Sequence, residues 1–131
     1  MLINLSNHPA YKIENKKIIY IWEEEQLNAV SQYGEIENLP FPNIPPEYTT
    51  EQVCDLAKDY LNRCVNLIQS SNNESAVHIT GEMTFCFELI QLLLKKGYTC
   101  ITSTTERIVE EKDGVKKSIY KFVRFRNYIL L

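Results

Sequence analysis

The segment from Ala76 to Phe85 constrains the fold more than any other part of the chain. Its first four residues, Ala-Val-His-Ile, have the length and the apolar character of a buried strand, and Thr80-Gly81 and the first turn of a helix follow. Free backbone N–H groups at a helix start attract anions, and parallel-sheet proteins place ligands at such junctions. The segment therefore predicts a small α/β domain with a ligand-binding edge.

Two other apolar runs end in similar polar turns. Leu2–Leu5 is followed by Ser6-Asn7-His8, and the strand that starts near Tyr98 continues into Ser103-Thr104-Thr105. Because the carboxyl ends of parallel strands lie at the same edge of a sheet, we expect the three polar ends to meet. Their hydroxyl and amide groups suit phosphate oxygens, sugars or base edges.

Hydrophobic periodicity and turn residues predict the element order β-α-β-α-β-α-β-β. Thr49-x-x-Gln52 fits a capping box, and the run from Pro40 to Pro46 predicts an extended loop. Residues 11–21 predict an exposed excursion, in which Ile18–Ile21 could form a short strand or lead into the next helix. The order indicates a three-layer α/β sandwich in one domain, residues 1–131, with a mostly parallel sheet and an antiparallel hairpin at the end. The predicted strands are 2–5, 36–39, 76–79, 98–103 and 117–128, with residues 104–111 continuing the fourth strand in extended form, and the predicted helices are 22–33, 49–70 and 82–96.

Composition narrows the classes of partner. The chain has 131 residues and a formal charge of −3, with a pI of about 5.4, so duplex nucleic acid is a poor candidate, whereas a small anion in a local basic pocket is compatible. No apolar run approaches the ~18 residues of a membrane span, and no signal sequence opens the chain. We expect a cytoplasmic protein that does not bind a membrane.

The four cysteines lack zinc-site spacing, and the acidic residues form no evident metal cluster. The sequence predicts free, buried thiols in a reducing compartment, with no metal and no cofactor. Any catalysis is therefore expected to be metal-independent.

At the first two strand ends, each candidate residue has an ordinary explanation beside the functional one. His8 is either an acid–base group or a surface histidine, and His78, inside a strand, is better explained as a packed core residue. Gly81 and Thr84 could cradle an anion. Glu82 would repel a bare phosphate, but it could accept a hydrogen bond from ribose or adenine, or it could simply compensate the helix dipole.

The C-terminal half adds basic candidates. Arg107 could clamp a phosphate or pair with a carboxylate. Strand alternation predicts that Arg124 and Arg126 share a face with Tyr120 and Phe122, which could form a phosphate ladder or a charge-protected edge strand. Helix 82–96 is apolar almost all round, which predicts either a dimer contact or unusually complete burial within one chain.

Four stretches of the chain carry a resemblance to a known family: Leu5-Ser-Asn-His8, Val77-His-Ile-Thr-Gly-Glu-Met-Thr-Phe85, Ser103-Thr-Thr-Glu-Arg107 and Tyr120-Lys-Phe-Val-Arg-Phe-Arg-Asn-Tyr128. They resemble the small CARF-like (CRISPR-associated Rossmann fold) accessory proteins of type III CRISPR systems, several of which are ring nucleases. The resemblance covers about residues 76–128 and, more loosely, the first half, with residues 11–21 resembling an insertion.

The resemblance implies a Rossmann-like fold and a homodimer that binds cyclic oligoadenylate, as the tetra- or hexa-adenylate, across its two-fold axis. It also implies metal-independent cleavage, in which the ribose 2′-hydroxyl attacks the neighbouring phosphate. Carried onto this chain, it implies His8 and Arg107 as the residues that contact the transition state. The implied ligand-binding set, together with the basic candidates of the last strand, is Ser6, Asn7, Thr80, Gly81, Glu82, Thr84, Ser103, Thr104, Thr105, Arg124 and Arg126.

Overall fold

The main sheet has five strands, and its centre is made by the short apolar segments. A computed structural model describes all residues from Met1 to Leu131. The elements are β1 (Leu2–Ser6), β2 (Tyr11–Glu14), β3 (Lys17–Tyr20), α1 (Glu24–Ala29), a 3-10 turn (Ser31–Tyr33), β4 (Ile36–Pro40), α2 (Thr50–Gln69), β5 (Ala76–Ile79), α3 (Met83–Lys95), β6 (Thr99–Lys112) and β7 (Val115–Asn127).

The strand order is β4-β1-β5-β6-β7, and β2 and β3 form a separate two-stranded sheet. β1 pairs in parallel with both β4 and β5, β5 pairs in parallel with β6, and only β6–β7 is antiparallel. This confirms an α/β chain with a mostly parallel main sheet and an antiparallel C-terminal hairpin. Because β4 lies on one side of β1 and β5 on the other, the strand order changes direction between β1 and β5.

Every residue of β1 is buried, since both faces of the strand are covered. Ile3 and Leu5 join a core of 17 buried residues with α2 and α3. Leu2 points the other way and joins a second cluster of 7 buried residues, which includes Trp22 and Tyr33. Because side chains alternate along β1, this strand contributes residues to two hydrophobic cores on opposite faces of the sheet.

The predicted helix over residues 22–33 is shorter than expected. It forms only the six residues of α1, without a side-chain hydrogen bond at its first cap, followed by the 3-10 turn, and Gly34 ends it with a φ of 79°. The excursion over residues 11–21 is mainly the β2–β3 hairpin, whose turn residues Asn15 and Lys16 have φ values of 51° and 62°.

The β6–β7 hairpin extends beyond the sheet, because β5 pairs only with residues Thr99 to Ile101 of β6. A β-bulge lies where Thr104 pairs with Arg124 but Thr105 pairs with Phe122, so that Val123 is the extra residue. The bulge reverses the alternation of β7, and it places Phe122 on the same face as Phe125, with ring centroids 4.9 Å apart.

The prediction that Arg124 and Arg126 share a face with Tyr120 and Phe122 is therefore wrong. That prediction applies the two-residue alternation of a strand across Val123, the extra residue of the bulge. Arg124 and Arg126 pair with Thr104 and Thr102, on the face that carries the α2–α3 core, whereas Tyr120 and Phe122 lie on the other face.

The predicted capping box of α2 is confirmed. The Thr49 hydroxyl accepts from the Gln52 N–H at 3.2 Å, and the Gln52 side chain accepts from the Thr49 N–H at 2.8 Å.

We expect Thr49→Ala to lower the free energy of unfolding by about 1 kcal/mol, measured by urea denaturation. Thr50→Ala removes a hydroxyl without a capping bond and is the matched control; equal losses for the two variants would contradict this assignment.

Candidate functional site

A pocket of about 470 Å³ lies at the carboxyl ends of β1 and β5, where the strand order changes direction. Parallel α/β sheets place ligands at this position, and the volume lies in the range of small-molecule sites. We call it the strand-end pocket. Its lining consists of Ser6, His8, Ile21, Trp22, Glu23, Gln26, His78, Thr80, Ser103, Thr105, Tyr120 and Phe122.

Five residues predicted from the sequence meet in the strand-end pocket. They come from the ends of three parallel strands, as expected, because those ends share one edge of the sheet. β1 and its loop supply Ser6 and His8, the end of β5 supplies Thr80, and β6 supplies Ser103 and Thr105.

The remaining predicted residues lie outside this pocket. Asn7 lines a neighbouring cavity of about 190 Å³ beside β4. Gly81 and Thr84 lie at the start of α3, in two further cavities. The strand register places Thr104, Arg124 and Arg126 on the opposite face of the sheet.

Arg107 lies further along the hairpin, on the same face as Thr105. Its guanidinium donates to the Ser118 hydroxyl from Nε at 3.2 Å and from Nη2 at 3.0 Å. The side chain has no salt bridge with a carboxylate, and it does not line the strand-end pocket.

An aromatic wall of the pocket is not predicted by the sequence. Trp22 packs edge-on against His78 with ring centroids 5.3 Å apart, and Phe125 packs against both rings at 6.0 and 5.6 Å. Phe122 and Tyr120 complete the wall because of the bulge in β7. Glu23 and Gln26, which lie within the predicted helix 22–33, also line the pocket. No local sequence pattern indicates the bulge in β7 or the packing of residues 21–26 against the strand ends.

Beneath the pocket, Asn4 holds several chain segments together. Its Nδ2 donates to the His8 carbonyl at 2.9 Å and to Asn38 Oδ1 at 3.2 Å. Its Oδ1 accepts from the Ser6 hydroxyl at 2.9 Å and lies 2.9 Å from His78 Nδ1. Every buried side-chain polar atom has a partner, so this polar centre is fully satisfied inside an apolar sheet.

These contacts determine the tautomer of His78. A backbone carbonyl can only accept, so the Asn4 atom that faces the His8 carbonyl is the amide nitrogen. The Asn4 oxygen therefore faces His78, whose Nδ1 must carry the proton that it donates. In the neutral ring Nε2 is then an acceptor, and it lies 3.2 Å from the Ser103 hydroxyl.

His78 is buried, with 2% of its surface exposed, as the sequence predicted. Burial, followed by the charge of the neighbouring His8, lowers its pKa to about 4. At neutral pH the ring is uncharged, which agrees with its one donor and one acceptor contact.

The N-terminus of α3 is capped by its own carboxylate. Glu82 accepts from the N–H groups of Thr84 at 3.0 Å and Phe85 at 2.8 Å, and the Thr84 hydroxyl donates to it at 2.6 Å. The hydroxyl bond, followed by the bond from the Phe85 N–H, lowers the pKa of Glu82. Glu82 therefore compensates the helix dipole; its contact with a ligand stays a prediction.

The space above Gly81 is taken by Phe41. A Cβ at Gly81 would overlap with the Phe41 ring, which stacks edge-on against Phe85 with centroids 5.2 Å apart. Close approach at this turn therefore serves the packing of the Pro40–Pro46 loop onto α3.

One face of α3 is left uncovered, next to the C-terminal tail. Met83 and Phe87 are 83% and 64% exposed, and with Ile129 and Leu130 they line a cavity of about 400 Å³.

None of the helices is both long and apolar enough to cross a bilayer. No group of three or more His, Cys, Asp or Glu side chains is arranged to hold a metal ion, and all four cysteines are free thiols.

Comparison with protein families gives one match, which spans residues 1–126 and so includes every residue of the strand-end pocket. The chain belongs to the uncharacterized protein MJ1673 family. No curated protein and no solved structure matches the chain significantly.

Acid should destabilise the protein through His78. Its pKa is about 4 in the folded state and about 6.5 when unfolded, so the unfolded state takes up a proton first as pH falls. The stability from the neutral, buried ring is complete above pH 6.5 and is lost between pH 6.5 and 4, by about 3 kcal/mol.

We expect His78→Gln to flatten the fall of the unfolding free energy over this pH interval, measured by urea denaturation at several pH values. His8→Gln is the matched control and should keep most of the fall, because burial is the larger cause. Parallel curves for His78→Gln and the wild type would contradict the assignment.

Gly81→Ala should destabilise the protein by about 1–3 kcal/mol, the usual range for overpacking. The loss should nearly vanish in a Phe41→Ala background, because the ring that meets the new methyl group is gone. A double-mutant cycle by thermal or urea unfolding measures this coupling. An equal loss in both backgrounds would show that Phe41 is not the reason for the glycine.

Proposed function

We propose that this chain is a Rossmann-like, CARF-like protein that binds cyclic oligoadenylate in the strand-end pocket and cleaves it slowly without a metal ion. The observation that carries the proposal is the meeting of three polar strand ends with an aromatic wall at the point where the strand order changes direction. Cleavage would end a signal of type III CRISPR immunity, which is the role that the sequence resemblance implies.

The chemistry of the lining suits an adenylate unit. The hydroxyls of Thr80 and Thr105 can donate to phosphate oxygens, and the Ser103 oxygen can accept from a ribose hydroxyl. The rings of Trp22 and Tyr120 offer apolar surface to a base. Glu23 and Gln26 carry oxygens that can accept from an exocyclic amino group, a donor that adenine presents.

Positive charge is sparse, which favours a small ligand over a long polyanion. His8 is exposed at the pocket, and Arg107 lies further out on the same face. In the proposed reaction the ribose 2′-hydroxyl attacks the adjacent phosphate, while His8 and Arg107 stabilise charge on the phosphate. A ligand without a 2′-hydroxyl would bind but would not be cleaved.

The proposal includes a homodimer. A ring of several nucleotides is larger than one pocket, and a two-fold axis would double each basic contact. Helix α3 is the proposed contact, because Met83 and Phe87 expose apolar surface beside the C-terminal tail.

Two alternatives remain beside this proposal. The chain could bind the same ring without cleaving it, as a sponge or sensor. The exposed apolar face of α3 favours the other alternative, a protein-interaction domain without a nucleotide ligand.

Thermal-shift titration with cyclic tetra-adenylate and cyclic hexa-adenylate, followed by chromatography of the incubated ligand, tests the proposal. Binding to the folded state at 100 times the dissociation constant stabilises it by about 2.7 kcal/mol, which raises Tm. We expect linear product in the presence of EDTA, and a loss of cleavage rate of about 100-fold or more in His8→Ala and a large loss in Arg107→Ala.

Lys121→Ala is the matched control for Arg107→Ala. Lys121 is a basic residue on the same hairpin, but it pairs with Glu106 on the opposite face of β6–β7, so its loss should leave cleavage unchanged. Intact ligand together with a raised Tm would identify a sponge. If neither ring changes Tm or yields product, the nucleotide proposal fails and the protein-interaction alternative stands.

A further inference from the structure

Three side chains form a continuous hydrogen-bonded chain from the sheet interior to the strand-end pocket. Asn4 on β1 is 1% exposed and His78 on β5 is 2% exposed, whereas Ser103 on β6 is only partly buried and lines the pocket. The linking distances are 2.9 Å from Asn4 Oδ1 to His78 Nδ1 and 3.2 Å from His78 Nε2 to Ser103 Oγ.

The direction of these bonds follows from the contacts of Asn4. Asn38 holds the Asn4 amide from the far side, since Asn38 Oδ1 also accepts from the Ala10 N–H at 3.0 Å and Asn38 Nδ2 donates to the Tyr11 carbonyl at 3.0 Å. Asn4 therefore cannot flip without losing two bonds. His78 must present the lone pair of Nε2 to Ser103, whose hydroxyl hydrogen points inward and whose oxygen lone pairs are left for the pocket.

A hydroxyl held in this way can pass on a proton. We propose that Ser103, His78 and Asn4 form a proton relay that accepts the proton of the attacking ribose 2′-hydroxyl. Ser103 is the residue that contacts the substrate, and Asn4 is a positioning residue that keeps the imidazole in the tautomer with a free Nε2. The inference rests on the proposed function and assigns the base that His8 and Arg107 do not provide.

In the proposed reaction, two proton transfers accompany the attack of the 2′-hydroxyl on the phosphate. The 2′-hydroxyl gives its proton to Ser103 Oγ while Ser103 gives its own to His78 Nε2, and the O2′–P bond forms. The P–O5′ bond breaks, and the leaving O5′ takes a proton from solvent. The products are a 2′,3′-cyclic phosphate and a 5′-hydroxyl; His78 then returns its proton through Ser103 to solvent.

The surroundings of the relay are nearly uncharged. The titratable groups that line the pocket are His8 after β1, Glu23 before α1 and Tyr120 on β7, and β6 contributes only the hydroxyls of Ser103 and Thr105. With a neutral Asn4 instead of a carboxylate behind the ring, the imidazole is a weak base. This geometry therefore predicts slow turnover and a rate that falls at acid pH as the ring becomes protonated.

The test compares Ser103→Ala and Ser103→Thr with the wild-type chain, using cyclic tetra- and hexa-adenylate as probes. We expect Ser103→Ala to lower kcat by about 100-fold or more while the ligand-induced change in Tm persists. Ser103→Thr keeps a hydroxyl and should restore much of the rate. Thr102→Ala is the matched control, because its side chain lies on the opposite face of β6, and it should cleave as the wild type does.

The pH profile separates a relay from a structural role. In Asn4→Asp a carboxylate lies behind the ring and raises its pKa, so the acid limb of kcat should move to higher pH. If Asn4→Asp does not fold, the two Ser103 variants decide the question alone.

The outcomes distinguish the two proposals. Cleavage by the wild type that is unchanged in Ser103→Ala overturns the relay and leaves the ring-nuclease proposal intact. Wild-type protein that binds either ring but yields no linear product overturns the relay and supports the sponge. Absence of both binding and product overturns the relay together with the proposed function.

Discussion

Burial of β1 on both faces is the constraint on which the rest of the structure depends. The strand lies between β4 and β5. It contributes Ile3 and Leu5 to one hydrophobic core and Leu2 to the other. A polar residue in such a strand must find all of its partners inside the protein, since an unpaired buried amide costs about 1–3 kcal/mol. Asn4 meets this requirement by bonding to the His8 carbonyl, Asn38, Ser6 and His78.

The same bonds shape the site. They hold the loop after β1 against β4 and β5, and therefore position His8 at the mouth of the strand-end pocket and His78 at its floor. The hydrogen bonds that satisfy the buried Asn4 amide thus also determine where the two histidines lie relative to the pocket. Each buried side-chain polar atom at the base of the pocket has a hydrogen-bond partner, and the lining of the pocket also includes Thr80 and Thr105.

The start of α3 shows how an apparent ligand site can be used by the chain itself. A strand, a Gly-containing turn and a helix make up a common anion-binding arrangement. Here the carboxylate of Glu82 takes up the first N–H groups, and Phe41 fills the space above Gly81. The first N–H groups of α3 are therefore satisfied by the chain itself, whereas the neighbouring strand ends place Thr80 and Thr105 in the strand-end pocket.

Local pattern determined much of this protein by itself. Apolar runs, turn residues and the Thr49 capping box predicted the strands, α2, α3 and the mostly parallel sheet, because these features depend on near neighbours in the chain. The meeting of Ser6, His8, Thr80, Ser103 and Thr105 was also predictable, since parallel strands end at one edge.

Only the tertiary structure decided the aromatic wall, the partners of Asn4 and the faces of β7. The bulge at Val123 reverses the side-chain alternation and moves Arg124 and Arg126 away from the pocket, and it is visible only in the register with β6. Likewise, the tautomer of His78 depends on contacts with residues far away in sequence. These properties arise from pairing between residues that are distant in sequence. The hydrophobic periodicity of a strand or a helix reports only local structure and does not predict them.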